Sequence, residues 1–172
     1  MKIVMVIAFE GFRDEEYLIP RKIFDEHKYI VDVASYQLGV AIGKYGTKVK
    51  VDLDYKQITL ENYDCMVLVG GPGTVYYLND QVLHKIIMEY YQQKKLIAAI
   101  CMAPVILANA GLLEGRNSTV YIGNKEDLII SGAKYTGQSV EINENIITAN
   151  GPDAAEEFGN KIVEYFNKVN SI

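Results

Sequence analysis

The chain is short of several residue types, and each shortage closes off a class of protein. It has two cysteines, Cys65 and Cys101, no tryptophan, two histidines and four prolines in 172 residues. Two cysteines far apart cannot build a disulfide scaffold, and without a CxxC pair they offer no zinc motif. No metal or cofactor is expected. Such cysteine usage suits a reducing compartment, so a cytoplasmic location is expected. Basic residues number 17 against 22 acidic ones, for a net charge of −5. Nucleic acid and anionic membranes bind through a basic face, so neither is expected as a main partner. At the start of the chain one lysine is followed by seven apolar residues, without the longer core and cleavage site of a signal peptide. Residues 96–113 are 18 uncharged residues in a row, about the shortest length of a membrane helix. Pro104, Asn109 and Gly111 interrupt that stretch, which reads better as a buried strand, a turn and a buried helix.

What is present is an ordinary globular balance, 49% hydrophobic and 23% charged, at a length that suits one domain. No repeat or linker-like segment breaks it. Short apolar runs rich in β-branched residues predict core strands at 2–8, 29–34, 65–69 and 96–100. Helical spacing predicts helices over 14–27, 79–93 with Asn79 as N-cap, 102–110 closed by Gly111, 125–130, and about 153–169 opened by Pro152. A hairpin is expected over 40–51 around Gly43 and Gly46, a strand over 119–122, and a second hairpin over 139–149 around Asn143-Glu144-Asn145. Strands alternating with helices imply a mainly parallel sheet covered on both faces. Ligands of such sheets sit at the carboxyl ends of the strands, here just after Ala8, Val69 and Ile100.

Each of those ends carries a candidate. After Ile100 comes Cys101, where a buried strand runs straight into a helix through small residues and Pro104. That is the layout of a nucleophile elbow, and a helix N-terminus there is expected to lower the thiol pKa from ~8.5 to roughly 4–7. A buried core cysteine would look the same. After Val69 comes Gly70-Gly71-Pro72-Gly73, whose backbone can approach a ligand; the N–H groups of Gly71 and Met102 are candidates for an oxyanion hole. A plain strand-to-helix turn is the simpler reading of the glycines. After Ala8 comes Asp14-Glu15-Glu16. Glu16 shares a helix face with Ile19, Pro20 and Ile23, whereas Asp14 and Glu15 are expected in solvent. On that apolar stripe a carboxyl must be paired or protonated, and a protonated Glu16 would donate to the Cys101 sulfur or shuttle a proton. A solvated charge at the helix N-terminus is the competing reading.

Ala99-Ile100-Cys101-x-x-Pro104, Val69-Gly70-Gly71 and Glu16-x-x-x-Pro20, in this order and spacing, resemble the DJ-1/PfpI (ThiJ/PfpI) family. The resemblance extends to Lys48–Asp52, Ala110–Gly115 and the region from Tyr121 through the last helix. It implies a flavodoxin-like three-layer α/β sandwich, a homodimer, and a reactive cysteine at Cys101. The family's acid then falls on Glu16, its backbone donors on Gly71 and Met102, and its substrate pocket beside Gly70 and Tyr121. The protease-like branch has histidine directly after the cysteine and a glutamate after the double glycine. This chain has Met102 there, and no acid between Pro72 and Tyr77. The histidine that other members place near the cysteine falls on Tyr121, a poor base given a reference pKa of ~10. The resemblance implies, in this order, a cofactor-independent glyoxalase or deglycase acting on small 2-oxoaldehydes, a peroxide sensor, and a peptidase or amidase. His27, His84 and Cys65 are expected outside the chemistry. Strand rise sets Cys65 more than ~12 Å from Cys101. Tyr76 and Tyr77 are candidates for the pocket mouth or for packing.

Overall fold

A computed structural model describes residues 1–169. In chain order its elements are β1 (Lys2–Val6), β2 (Glu10–Phe12), α1 (Asp14–Glu26), β3 (Ile30–Ser35), β4 (Gly39–Gly43), β5 (Lys48–Val51) and β6 (Leu53–Asp54). Then come β7 (Cys65–Leu68), α2 (Gln81–Gln92), β8 (Leu96–Ile100), α3 (Pro104–Asn109) and β9 (Asn117–Ser118). Last are α4 (Lys125–Ile130), β10 (Lys134–Tyr135), β11 (Val140–Asn143), β12 (Ile146–Ala149) and α5 (Ala155–Val169).

Seven strands form the central sheet in the order β11-β12-β8-β7-β1-β3-β6. All pairs are parallel except β11 with β12, which close as an antiparallel hairpin. β7, β8 and β12 are buried at every residue, as strands covered on both faces must be. The helices pack in two groups, α1 with α5, and α2 with α3 and α4. Pro20 lies inside α1 and has no N–H for the carbonyl of Glu16, its i−4 partner. α1 and α5 come close at Gly159, where a Cβ would lie 2.8 Å from Ile23 Cδ1 and 3.2 Å from Pro20 Cα. This is the flavodoxin-like sandwich.

The 40–51 hairpin forms as expected, but it leaves the main sheet and joins β2 in a second one, order β2-β4-β5. The strand expected over 119–122 does not form. Thr119 N–H donates to Thr148 Oγ1 at 3.0 Å and Tyr121 N–H to the Cys101 carbonyl at 2.9 Å. These bonds draw the segment over the end of β8, and a 3-10 turn, Ile122–Asn124, follows. α2 is capped by Asp80 rather than Asn79; the Asp80 carboxylate accepts from Leu83 N–H at 2.7 Å. α3 starts at Pro104, because the residues before it are spent on the elbow.

Candidate active site

Cys101 leaves β8 with φ of +63°. Among the described residues, the other non-glycine residues with positive φ are Lys28 and Lys94, which follow helices, and Glu144, at a hairpin tip. Those are ordinary turn positions. Cys101 instead sits at the carboxyl end of a buried strand, its N–H held by the Ala149 carbonyl and its carbonyl held by Tyr121 N–H, both at 2.9 Å. A side chain held in this region costs about 1–3 kcal/mol, and those two bonds supply the constraint that keeps it there. The backbone geometry is that of a strained strand-to-helix elbow with Cys101 at its turn.

Glu16 is fully buried. Both of its carboxyl oxygens lack a partner of good hydrogen-bond geometry. The polar groups turned toward them are the Cys101 thiol and the Gly70 N–H. Gly70 makes the approach possible: a Cβ there would fall 2.5 Å from Glu16 Oε2 and 2.6 Å from Cys101 Cβ. The next two required glycines serve the chain itself. Gly71 has φ of +114°, and a Cβ on it would lie 2.4 Å from Arg13 N; on Gly73 it would lie 2.0 Å from Glu10 O. The glycine loop is thus pressed against residues 10–13, with Arg13 N–H donating to the Gly70 carbonyl at 2.9 Å. That contact carries α1, and with it Glu16, to the elbow.

Burial pushes the Glu16 pKa up to about 7. The expectation of a depressed thiol pKa does not hold. Burial first, then the Glu16 charge, push the Cys101 thiol up to about 12, against the Met102 and Gly71 N–H groups, which pull it down. The helix behind the elbow has only six residues, and its field is outweighed by desolvation. Most of the remaining rise depends on a charged Glu16. When that carboxyl is protonated it becomes a donor, so the titration of each group depends on the state of the other.

The sulfur opens into a cavity of about 420 Å³ lined by Arg13, Lys44, Gly71, Pro72, Cys101, Met102, Tyr121 and Pro152. Of the residues read from sequence, Cys101, Gly71, Met102 and Tyr121 line it directly, while Glu16 and Gly70 stand behind the sulfur. Tyr121 is 46% exposed and forms one wall. Arg13 and Lys44 are absent from the sequence reading. Arg13 had a weak signal, its place just before the acidic run. Lys44 had none, being one of many surface lysines until the hairpin folds back.

Asp14 corrects a second expectation. It is 5% exposed rather than solvated, and its carboxylate accepts from Tyr45 N–H at 2.8 Å and Thr47 N–H at 2.9 Å. Burial opposes its ionisation, but the Thr47 hydroxyl and these N–H groups hold its pKa below the usual range. Glu15 is half-buried and pairs with Arg13 at 2.8 Å. The remaining residues fall outside the cavity. His27 Nδ1 bonds the Ile23 carbonyl and His84 Nε2 the Leu78 carbonyl. Cys65 opens β7, in register with Leu96 at the far end of β8, and is fully buried. Tyr77 is buried with its hydroxyl donating to the Ile7 carbonyl at 3.0 Å. Tyr76 stacks on Tyr36 with ring centres 3.8 Å apart, so this pair packs rather than lining the mouth. Among the described residues, no three His, Cys, Asp or Glu side chains gather as metal ligands, and no helix is long and apolar enough to cross a membrane.

The family model of the DJ-1/PfpI family matches residues 1–165. The chain belongs to the DJ-1/PfpI family. An uncharacterized protein of Methanocaldococcus jannaschii is 38% identical over 98% of this chain and 84% of its own length. Deglycase PfpI of Pyrococcus furiosus is 36% identical over 88% of this chain and 91% of its own. The crystal structure of a ThiJ/PfpI domain protein from Brachyspira murdochii superposes with a TM-score of 0.95 at 31% identity, covering 97% of this chain and 96% of that one. Within this DJ-1/PfpI chain the position after the cysteine is Met102, and the cavity lining includes neither histidine.

Proposed function

We propose that the protein is a cofactor-independent enzyme of the glyoxalase or deglycase type, acting on small 2-oxoaldehydes or their adducts through Cys101 and Glu16. The observation that carries this reading is the buried Glu16 carboxyl, unpartnered except for the thiol and the Gly70 N–H that it faces. A carboxyl with a pKa near 7 is matched to moving protons at neutral pH. The name of the Pyrococcus furiosus relative agrees with carbonyl chemistry.

The steps follow from the groups present. Glu16 takes the thiol proton as sulfur adds to the aldehyde carbon, and returns it to the oxygen, giving a thiohemiacetal. The N–H groups of Gly71 and Met102, which donate to no other backbone carbonyl among the described residues, stabilise the oxyanion. Glu16 then removes the proton on the former aldehyde carbon and delivers it to the neighbouring carbon, while the oxygens exchange one proton. The product is a 2-hydroxy thioester. One water cleaves it to the 2-hydroxy acid and restores the thiol, so the net change is addition of one water. A Cys-His peptidase would pair the sulfur with an imidazole, and no histidine lines this cavity.

The test is methylglyoxal consumption with lactate quantified, for wild type, Cys101→Ser and Glu16→Gln. Lactate formation lost in both variants is expected. Turnover unchanged in Glu16→Gln would refute the mechanism, and absence of turnover in the wild type would refute the activity.

A further inference from the structure

The cavity beside Cys101 has two cations in its wall, and the mechanism uses neither. Arg13 is tied to Glu15 by Nε–Oε2 at 2.8 Å and Nη2–Oε1 at 3.3 Å. Its guanidinium lies 4.8 Å above the Tyr45 ring. Lys44 has no carboxylate within ion-pair distance among the described residues, and its ammonium lies 5.4 Å from the centre of the same ring. Lys44 is exposed, yet its backbone is fixed. Its N–H donates to the Phe12 carbonyl at 2.8 Å, and the Asp14 carboxylate clamps the next residues of the turn at Tyr45 and Thr47. A Cβ at Gly43 would lie 2.6 Å from Asp14 Oδ1, so that clamp is closely fitted. A buried carboxylate is expensive to keep unless its bonds are needed. Here its bonds hold a lysine-bearing turn over the nucleophile.

We propose that Arg13 and Lys44 form an anion subsite, so that the preferred substrates are small carbonyl compounds bearing a carboxylate or phosphate a few atoms from the reacting carbon. The reacting end meets Cys101, Gly71 and Met102; the anionic end lies toward Lys44. Glu15 pairs with Arg13, which leaves Lys44 as the wall cation without an ion-pair partner among the described residues. Asp153 lines an adjoining hollow that shares Tyr121 and Pro152 with the cavity, and its negative charge directs an anion away from that side. Asp14 is a positioning residue that acts through the turn.

The substrate class rests on the carbonyl-enzyme reading, but the subsite can be read without turnover. Cys101 is alkylated with iodoacetate and with neutral iodoacetamide, the rate at Cys101 being followed by mass spectrometry. The ratio of the two rates is compared with that of glutathione. The expected ratio at Cys101 exceeds the glutathione ratio by about five- to tenfold, the worth of a single nearby charge at a partly solvated site. Lys44→Met lowers it by about fivefold, and 0.5 M NaCl compresses it because exposed charges are screened. A ratio equal to that of glutathione, a ratio unmoved by Lys44→Met, or a Cys101 that neither reagent reaches would overturn the proposal. In a second arm, kcat/KM is measured for methylglyoxal and for 4,5-dioxovalerate, a 2-oxoaldehyde ending in a carboxylate. Preference for the anion, reduced by Lys44→Met, is expected; equal values would overturn the substrate class. A high alkylation ratio with no turnover of either compound would sink the carbonyl-enzyme reading and its substrate class while leaving the anion subsite standing.

Discussion

Glu16→Gln should stabilise the protein, and only above a defined pH. Unfolded, the Glu16 carboxyl loses its proton near 4.5; folded, it keeps it to about 7. Between those values the unfolded chain binds fewer protons than the folded one, so stability falls as pH rises through the window. At roughly 1.36 kcal/mol per pH unit, the loss due to this one group is about 3 kcal/mol above pH 7. Glutamine keeps the size and never ionises. The difference in unfolding free energy between Glu16→Gln and wild type is therefore expected to be small near pH 4. It should grow with pH and level off at about 3 kcal/mol by pH 8. In a chain of this size that is a rise in Tm of about 6–12 °C. Asp14 and Asp32 have pKa values lowered in the fold, so they impose the opposite trend on each protein alone, but they cancel in the difference. The assay is urea denaturation of both proteins from pH 4 to pH 8. A difference that stays flat across that range would show that Glu16 is solvated or paired, and the argument for it as the proton carrier would fail with it.

The same titration shapes activity: kcat/KM should rise with pH through about 7, where Glu16 ionises, and show no falling limb below pH 10. A rising limb at pH 4–5 would mean an ordinary carboxylate. Gly71→Ala places a Cβ 2.4 Å from Arg13 N at a φ of +114° and should cost about 3 kcal/mol or more. Thermal unfolding reads it, and an unchanged Tm would contradict the close approach of the loop to residues 10–13. Asp14→Asn removes one of two acceptors from the Gly43–Thr47 turn and should cost about 1–3 kcal/mol. Amide exchange should quicken at Tyr45 and Thr47, and unchanged exchange there would refute the clamp.

The sheet and the elbow were legible from local pattern alone. The runs at β1, β7 and β8 are apolar at nearly every position, which only a strand covered on both faces tolerates, and β8 ran into Pro104 with one cysteine between. The Glu16, Ile19, Pro20, Ile23 stripe put that carboxyl on a buried face, because helical periodicity is a local property. Charge states and walls were not local. The helix N-terminus argued for an acidic thiol, yet desolvation and a neighbouring carboxyl raised its pKa, and both come from chain segments far away in sequence. Asp14 looked like a solvated first-turn acid until the 43–47 turn folded onto it. Lys44 became part of the cavity only because β4 pairs with β2 rather than with the central sheet. Spacing reports which face a residue takes on its own element; which charges meet across elements depends on how the elements pack, and here that packing set Glu16 against Cys101 and placed two cations in the wall of the cavity beside them.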